Sequence, residues 1–398
     1  MKELRKLVNS FTNVKHSFYA FYPHKVWRQH KLWTTHLPFI TPFYAVKSNP
    51  EPLLLETLYK RGINFDCASL QELKLVKSIS PIILEDSIIY ANPCKSLVDL
   101  RYAKDEVGSP TTVIDSIEEL NKLVDVDYQG KTYIRITTDD TASKIPFSGK
   151  FGVPKEKVKD LGYYAKKKGV EIEGISFHVG SGGNDGEVYY KSIEVSKALN
   201  TFLQAQGHRA DTIDIGGGFL SDENDFLKKV KYIKEAYDPK FKFIAEPGRF
   251  FSSVSQDFFV KVIGKKPWSE GYRYTIDDSL YGQFSCIPFD HATPLWIRVS
   301  LDDDGVRPRS RGLLMGRTCD SVDVIARSES MEELEIGDWL WFPQMGSYTN
   351  ATANEFNGFP KPDALPVYVD LPPISSFLDR LPLDVKVVEP VSSAPLLK

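Results

Sequence analysis

The sequence lacks the features that place a chain in a membrane, on a nucleic acid or in a disulfide framework. None of its 398 residues lies in a run approaching the ~18–20 consecutive apolar residues of a membrane span, and the mixed N-terminus has no apolar signal-peptide core. The formal net charge of −3 gives no electrostatic reason to expect nucleic acid or an anionic membrane as a partner. The 4 cysteines have no CxxC spacing, so neither a zinc site nor a disulfide framework is indicated. We expect a cytoplasmic protein with free thiols and no metal.

What the sequence does contain is a regular alternation of apolar, β-branched runs and helical segments, from about residue 43 to 250. Two of the helical segments begin with capping-box spacing, Ser69–Glu72 and Ser116–Glu119. Eight strands alternating with helices predict an α/β fold with a closed, TIM-type (β/α)₈ barrel. The strand runs are FYAVK (43–47), FDCAS (65–69), IIYAN (88–92), TTVIDS (111–116), TYIRI (132–136), GISFHV (174–179), TIDIGGGF (212–219) and KFIAEP (242–247).

After residue 250 short β-like runs follow one another without long helices, which predicts a C-terminal β-rich sandwich or barrel domain. We expect residues 1–25 to pack with this domain, 26–255 to form the barrel and 256–370 to form the β-rich domain. Residues 371–398 are rich in Pro and Ser, and we expect a loosely ordered tail there.

The barrel prediction places chemistry at the C-terminal ends of the strands. Each polar residue there has an ordinary explanation as a turn, cap, core or ion-pair residue, and Lys47 could simply extend its stem to water. The alternative for Lys47 is a desolvated amine with a lowered pKa that condenses with a carbonyl. The polar strand ends are Lys47, Asp66, Asn92, Asp115, Arg135, His178, Gly216 to Gly218, and Glu246 with Arg249.

Glycine-bearing loops follow the last three predicted strands, in HVGSGG, DIGGGF and EPGR, where backbone N–H groups can approach an anion. Barrels often build a phosphate site at this position. An amine nucleophile beside a phosphate pocket indicates pyridoxal phosphate as the cofactor. Glu246 would then face the pyridine nitrogen, His178 would stack on the ring, and Lys47 would be the Schiff-base lysine.

Nine ordered motifs over roughly residues 10–370 resemble the eukaryotic-type ornithine decarboxylases, which are pyridoxal phosphate-dependent group IV decarboxylases of the alanine racemase-like class. The resemblance implies that one set of residues lines the cofactor: Lys47, Asp66, Ala68, Arg135, His178, Ser181, Gly216, Gly217, Gly218, Glu246, Gly248, Arg249 and Tyr348. The motifs are PFYAVKSN, FDCASLQEL, IIYANPCK, SFHVGSGG, DIGGGF, AEPGRFF, YGQFSCIPFDHATP, GRTCDSVDVI and MGSYTNATANEFNGF.

The resemblance also implies a head-to-tail homodimer with shared active sites, decarboxylation of L-ornithine to putrescine and CO₂, and a place in polyamine biosynthesis. Cys319 of the second subunit would protonate the product carbon, and Asp290 and Asp320 would bind the distal amine. The remaining implied residues are Phe289 and Phe356 at the substrate, and Lys150, Asp323 and Tyr281 at the dimer interface.

Several positions depart from the family pattern. Ser48 replaces a cysteine, Gly183 stands where cysteine is frequent, and Phe289 replaces a tyrosine. Arg317 stands where proline is usual, and we expect it to loosen the loop beside Cys319 and to add a charge.

Five other functions stay open at this stage. The closest alternative is decarboxylation of lysine, arginine or another basic amino acid. A catalytically inactive regulator resembling antizyme inhibitors would lose positions such as Asp66, Lys150 or the IGGG glycines, all of which are present. Diaminopimelate decarboxylases show CE where this chain has CD, and alanine racemases use a tyrosine base. A non-enzymatic phosphate-binding barrel would have no use for the amine of Lys47.

Overall fold

The computed structural model describes residues 1–11, 14–80, 85–139, 149–181, 186–301 and 305–387. The chain divides into two compact units, which we call the barrel unit, Val26–Ser252, and the sheet unit, Met1–Lys25 with Ser253–Lys398. Gly183 lies outside the described residues. Within the described ranges, no helix is both long and apolar enough to cross a membrane.

Strands and helices follow one another along the chain as the sequence pattern predicts for the barrel. The strands are β1 (Phe18–Phe21), β2 (Ile40–Ala45), β3 (Asn64–Cys67), β4 (Ile88–Tyr90), β5 (Thr111–Ile114), β6 (Thr132–Ile136), β7 (Ile172–Phe177), β8 (Thr212–Asp214), β9 (Lys242–Ala245), β10 (Gln256–Trp268), β11 (Gly271–Ile276), β12 (Ile297–Val299), β13 (Arg309–Met315), β14 (Val324–Glu332), β15 (Trp339–Phe342) and β16 (Ala364–Pro366). The helices are α1 (Lys2–Ser10), α2 (Pro23–His36), α3 (Pro52–Tyr59), α4 (Leu70–Ile79), α5 (Leu97–Val107), α6 (Ile117–Asp125), α7 (Val158–Lys167), α8 (Glu187–Ala205), α9 (Glu223–Ala236), α10 (Arg249–Ser252) and α11 (Cys286–Asp290).

Strands β2 to β9 pair in parallel and close into a barrel, which confirms the predicted TIM-type architecture. Side chains from five of its strands form a buried apolar cluster, namely Phe43 of β2, Ile89 of β4, Val113 of β5, Tyr133 of β6 and Ile244 of β9. Burying a side chain of this size stabilises the fold by about 1.5–3 kcal/mol. Because the interior is packed, polar groups have room only at the strand ends.

Both predicted capping residues begin helices of the barrel. The Ser69 hydroxyl accepts the Glu72 N–H at 3.2 Å at the start of α4, and Ser116 accepts the Glu119 N–H at 3.2 Å at the start of α6. Each serine replaces one of the hydrogen bonds that the first turn of a helix lacks. These caps fix the direction in which each helix leaves the strand end before it.

The sheet unit is built on one sheet with the order β12-β15-β10-β11-β13-β14, and β1 pairs with β10 and β16. Side chains of β10 alternate between two apolar clusters: Phe258 and Val260 pack with Tyr274 and Leu340, whereas Phe259 packs against Phe18. This alternation is the period of two of a β-strand with both faces covered. The predicted β-rich C-terminal domain is therefore confirmed.

The expectation of a loose tail from residue 371 is wrong for residues 371–387. Phe377 is buried, and two isolated bridges, Ser330↔Leu383 and Arg327↔Lys386, join this segment to β14. The Arg309 guanidinium donates to the carbonyl oxygens of Asp379 and Leu381 at 3.0 and 2.6 Å. Spaced apolar residues and an arginine from β13 hold a segment whose Pro and Ser content favoured disorder. Residues 388–398 lie outside the described part of the chain.

Candidate active site

Lys47 follows β2 in a single 3₁₀ turn, Val46–Ser48, which directs its amine across the C-terminal end of the barrel. Its Nζ lies 2.6 Å from Oδ2 of Asp66, which is the next-to-last residue of β3 and is fully buried. The Lys47 side chain is 39 % exposed. The amine is therefore held by a buried carboxylate and remains open to a small molecule. This geometry favours a functional lysine over one that merely reaches water.

Two buried carboxyl groups, Asp214 and Glu246, lie at the ends of β8 and β9. Asp214 accepts the Gly216 N–H and the Ser176 hydroxyl, each at 2.9 Å, and the Glu246 N–H donates to the Gly216 carbonyl at 2.7 Å. Burial raises the pKa of Asp214 to about 6. Burial and then the nearby charge of Asp214 raise the pKa of Glu246 well above its ordinary value. The pair therefore tends to retain a proton at neutral pH.

Oε1 of Glu246 is buried and has no hydrogen-bond partner among the residues that the structure describes. A buried carboxylate oxygen without a donor is unfavourable by about 1–3 kcal/mol. This orphaned acceptor is satisfied if a ligand brings an N–H group to it.

His178 follows β7, and its Nδ1 accepts the Gly180 N–H at 3.0 Å. Because Nδ1 accepts, the neutral ring carries its proton on Nε2. Burial, then Arg135 and Lys47, lower the pKa of His178 well below its usual value. The ring is thus a fixed, uncharged plane at the end of the barrel.

The loop Gly216–Gly218 has no room for side chains. Gly216 and Gly218 have φ angles of +63° and +96°, which L side chains rarely adopt. A Cβ on Gly217 would lie 2.9 Å from His178 Nε2 and 2.9 Å from the Glu246 carbonyl. The Tyr189 hydroxyl fixes the loop by donating to the Gly217 carbonyl at 2.6 Å. The loop is a rigid cradle of bare backbone.

The two neighbouring glycine loops add polar groups near the same end of the barrel. Arg249, the first residue of α10, donates through Nε to the Ser181 hydroxyl at 2.9 Å. A Cβ on Gly248 would lie 2.9 Å from the Cβ of Ser48, so this position requires a small side chain at residue 48 as well. The replacement of the family's cysteine by Ser48 keeps that size, and the Ser48 hydroxyl lies 2.6 Å from the Ser252 hydroxyl.

The remaining predicted strand-end residues of the barrel support its loops. Asn92 donates to the Ala68 carbonyl at 3.2 Å, and Asp115 accepts the Gly152 N–H at 2.9 Å. The Arg135 guanidinium lies 5.2 Å from the centre of the Phe151 ring. Asn92 and Asp115 thus have the structural roles that an isolated polar strand end usually has.

Sequence reasoning missed two carboxyl groups of the site. Asp214 lies two residues before the glycine loop, and its position at a strand end is the signal that could have identified it. Glu72 accepts the Ala68 N–H at 2.6 Å, as a capping residue does, but it also lies close enough to Lys47 and Asp66 for their charges to act on its pKa. Burial raises the pKa of Glu72 to about 6. The barrel end therefore holds more acidic groups than the sequence analysis assigned to it.

These barrel residues fit pyridoxal phosphate. The phosphate requires N–H donors and a cation, which the glycine cradle, Ser181 and Arg249 offer. The pyridine nitrogen requires an acceptor, and the orphaned Oε1 of Glu246 is one. The amine of Lys47 is open to a small molecule and would be the group that condenses with the aldehyde.

The sheet unit carries the predicted substrate residues. Cys319 is exposed on the loop after β13, and its N–H donates to Asn357 Oδ1 at 3.3 Å. The Tyr281 hydroxyl donates to Asp320 Oδ2, and this bond lowers the pKa of the Asp320 carboxyl. The rings of Tyr281 and Phe356 lie 4.5 Å apart. The structure thus brings the four residues Cys319, Asp320, Tyr281 and Phe356 into one group.

Other predicted residues of this unit differ in exposure. In α11, Phe289 is 68 % exposed and Asp290 is 8 % exposed. Tyr348 has a φ of +54°, and its carbonyl accepts the Thr352 hydroxyl at 2.9 Å. The roles of these three residues at a cofactor or substrate stay predictions.

The environment of Asp323 is not the one expected for a residue that pairs with Lys150 of a second subunit. It is fully buried, and it accepts the Leu280 N–H at 2.8 Å and the Thr318 N–H and hydroxyl at 3.0 and 2.6 Å. Lys150 is exposed in the barrel unit. Asp323 therefore organises its own loop, and the pairing with Lys150 stays a prediction that this burial weighs against.

Comparisons with known proteins show which family the chain resembles in sequence. Residues 24–253 match the family model of the pyridoxal-dependent decarboxylase pyridoxal binding domain, and residues 250–346 match that of its C-terminal sheet domain. The ornithine decarboxylase of Caenorhabditis elegans is 37% identical over 87% of this chain and 85% of its own length. Antizyme inhibitor 2 of Xenopus laevis is 34% identical over 89% of this chain and 82% of its own length.

A solved structure gives the same result in three dimensions. The arginine decarboxylase of Paramecium bursaria Chlorella virus, bound to agmatine, superposes with a TM-score of 0.86. It is 35% identical in sequence, and the match covers 92% of this chain and 100% of that one. Fold and sequence agree, and the chain belongs to the family of pyridoxal-dependent decarboxylases.

Proposed function

We propose that the chain decarboxylates L-ornithine to putrescine and CO₂, a reaction of polyamine biosynthesis, as a cytoplasmic homodimer. The single observation that carries the decarboxylase assignment is the 2.6 Å contact of Lys47 Nζ with buried Asp66 beside the orphaned Glu246 carboxylate. Ornithine is supported by the similarity to ornithine decarboxylases and by the two acidic residues, Asp290 and Asp320, assigned to the distal amine.

Bound pyridoxal phosphate would supply an electron sink for the carbanion that CO₂ leaves behind. The protein's part would be to hold it: Glu246 Oε1 would accept the pyridine N–H, His178 would cover the ring, and the glycine cradle with Arg249 would bind the phosphate. Because His178 is neutral, its ring places no cation against the electron sink. Asp66 orients the Lys47 amine and balances its charge until the amine loses a proton and becomes nucleophilic.

The product carbon needs a proton after CO₂ leaves, and we assign this step to Cys319 of a second subunit. An exposed thiol on a loop is suited to completing a site in another chain. Asp320, in the next position, would then face the distal amine of the substrate together with Asp290. At ~4 Å and an effective dielectric of ~20, each carboxylate attracts an ammonium by about 4 kcal/mol before desolvation is subtracted. That attraction discriminates against substrates with a neutral end.

Two observations support other functions. Similarity to a solved arginine decarboxylase keeps a longer basic substrate possible on the same scaffold. Similarity to an antizyme inhibitor supports a regulator without activity, but the Lys47–Asp66 contact and the glycine cradle are intact, which favours an enzyme.

The test is CO₂ release from ornithine, lysine and arginine at equal concentration, with pyridoxal phosphate supplied. We expect the highest kcat/KM for ornithine. A higher value for arginine or lysine would overturn the choice of substrate but not the chemistry. No CO₂ from any of the three, with no visible absorbance from bound cofactor, would favour the regulator.

A further inference from the structure

Arg317 has a different role from the one its sequence position suggested. Instead of loosening the loop before Cys319, it contacts two neighbouring segments. Its backbone N–H donates to the Asp278 backbone carbonyl at 3.1 Å, and its guanidinium carbon lies 4.0 Å from the centre of the Phe359 ring. A guanidinium over an aromatic face at this distance is a favourable cation–π contact.

The two segments that Arg317 contacts also contact the proposed substrate residues. We call residues 317–323 the acid loop, because it carries Cys319 and Asp320. The segment that provides Asp278 also provides Tyr281, which donates to Asp320. The segment that ends in Phe359 also provides Asn357, which accepts the Cys319 N–H at 3.3 Å. Arg317 therefore contacts the same two segments that hold the side chain of Asp320 and the backbone of Cys319.

The opposite charges of Asp278 and Arg317 also support this arrangement. Oδ1 of buried Asp278 accepts the N–H groups of Ser279 and Gln283, each at 2.7 Å, and so shapes the turn that carries Tyr281. Burial raises the pKa of Asp278 to about 7, and the Arg317 guanidinium opposes that rise. Since an ionised carboxylate accepts these bonds more strongly, Arg317 favours the form of Asp278 that holds the turn.

We propose that Arg317 is a positioning residue that fixes the acid loop by binding the Asp278 segment and stacking on Phe359. Its effect on turnover rests on the proposed function of Cys319 and Asp320, whereas its effect on the loop does not. A proline at this position would lack both the N–H donor and the guanidinium, so this chain fixes the loop by contacts that a family member with proline does not have.

The test measures amide hydrogen exchange of residues 317–323 in the holoenzyme, together with kcat and KM for ornithine. Losing the stacked cation in Arg317→Ala should make exchange of the acid loop about three- to tenfold faster. We expect kcat/KM to fall by a similar factor. Phe359→Leu should reproduce both effects, and the double variant should be no worse than either single one, because one contact is removed twice.

Two further variants separate positioning from general damage. Arg317→Lys keeps the charge but not the planar stacking group, and should lie between the wild type and Arg317→Ala. The matched control is Arg311→Ala, which removes an exposed arginine of β13 paired with Glu329 at 2.7 Å and should leave the acid loop unchanged. Equal effects of Arg311→Ala and Arg317→Ala would overturn the proposal, as would unchanged exchange in Arg317→Ala. Faster exchange with unchanged turnover would support the positioning of the loop and count against the proposed role of Cys319.

Discussion

Replacing Asp214 by asparagine should change apoprotein stability and cofactor affinity in opposite directions. Asp214→Asn keeps the shape of the side chain, and its carbonyl oxygen can still accept the Gly216 N–H. The bond from the Ser176 hydroxyl is weakened or lost. The substitution also removes a buried negative charge that raises the pKa of Glu246.

The magnitude follows from linkage between proton binding and folding. The pKa of Asp214 rises from 3.8 to about 6 on folding, so the folded state binds the proton more tightly. Wild-type stability therefore falls as pH rises from about 4 to about 6, by about 3 kcal/mol from this group. The unfolding free energy of the variant does not show this fall with pH, because asparagine does not titrate. The weakened hydrogen bond lowers it by about 1 kcal/mol at every pH. The net expectation is an apoprotein less stable by about 1 kcal/mol at pH ~4 and more stable by about 2 kcal/mol at pH ~8.

The assay is urea unfolding of the cofactor-free protein at both pH values, with a cofactor titration followed by visible absorbance. Cofactor affinity should fall, because Asp214 and Glu246 can together place two negative charges against a protonated pyridine nitrogen, whereas Asp214→Asn leaves only that of Glu246. Ser176→Ala is the matched control: it removes the same hydrogen bond but keeps the charge, so it should destabilise the apoprotein most at high pH. If Asp214→Asn is more destabilising at pH 8 than at pH 4, the buried-pair reasoning is refuted.

Two other predictions concern the cradle and the substrate. Gly217→Ala should weaken cofactor binding more than it lowers the unfolding free energy, because the new methyl group meets His178 and the Glu246 carbonyl, and absorbance titration beside urea unfolding measures both. Equal losses in the two experiments would argue against a cradle. Asp320→Ala should retain the cofactor absorbance while kcat/KM for ornithine falls about 10²-fold, from removal of one partner of a charge pair. An equal fall for a substrate without a distal amine would show that Asp320 does not bind that amine.

Much of the barrel could be predicted from the sequence because apolar strand runs and helical segments alternate regularly along the chain. The eight apolar runs each overlap a strand of the barrel, and the caps at Ser69 and Ser116 fix where helices begin. The positions at which strands end were less predictable. In the run FYAVK the strand ends at Ala45, because residues Val46–Ser48 form a 3₁₀ turn. In the run TIDIGGGF the strand ends at Asp214. Local turn geometry overrode an apolar pattern at both places.

The site was predictable where a residue's chemistry is rare, as with an amine or a glycine triplet at a strand end. It was less predictable where the role depends on burial. Asp214 and Asp323 are acidic residues that look ordinary in sequence, and only their burial and donors show what they hold. Arg317 was judged by the proline it replaces, whereas Phe359, which it contacts, lies 42 positions away in a different loop.

The most direct test of the proposed mechanism is to mix Lys47→Ala with Cys319→Ala under conditions in which subunits exchange. If one site combines Lys47 of one chain with Cys319 of the other, a mixed dimer has one site with both lesions and one with neither. Random pairing makes half of the dimers mixed, so activity should approach about 25% of wild type after the residual activity of Cys319→Ala is subtracted. Activity no higher than the average of the two parents would contradict the shared site and, with it, the assignment of Cys319 as the proton donor.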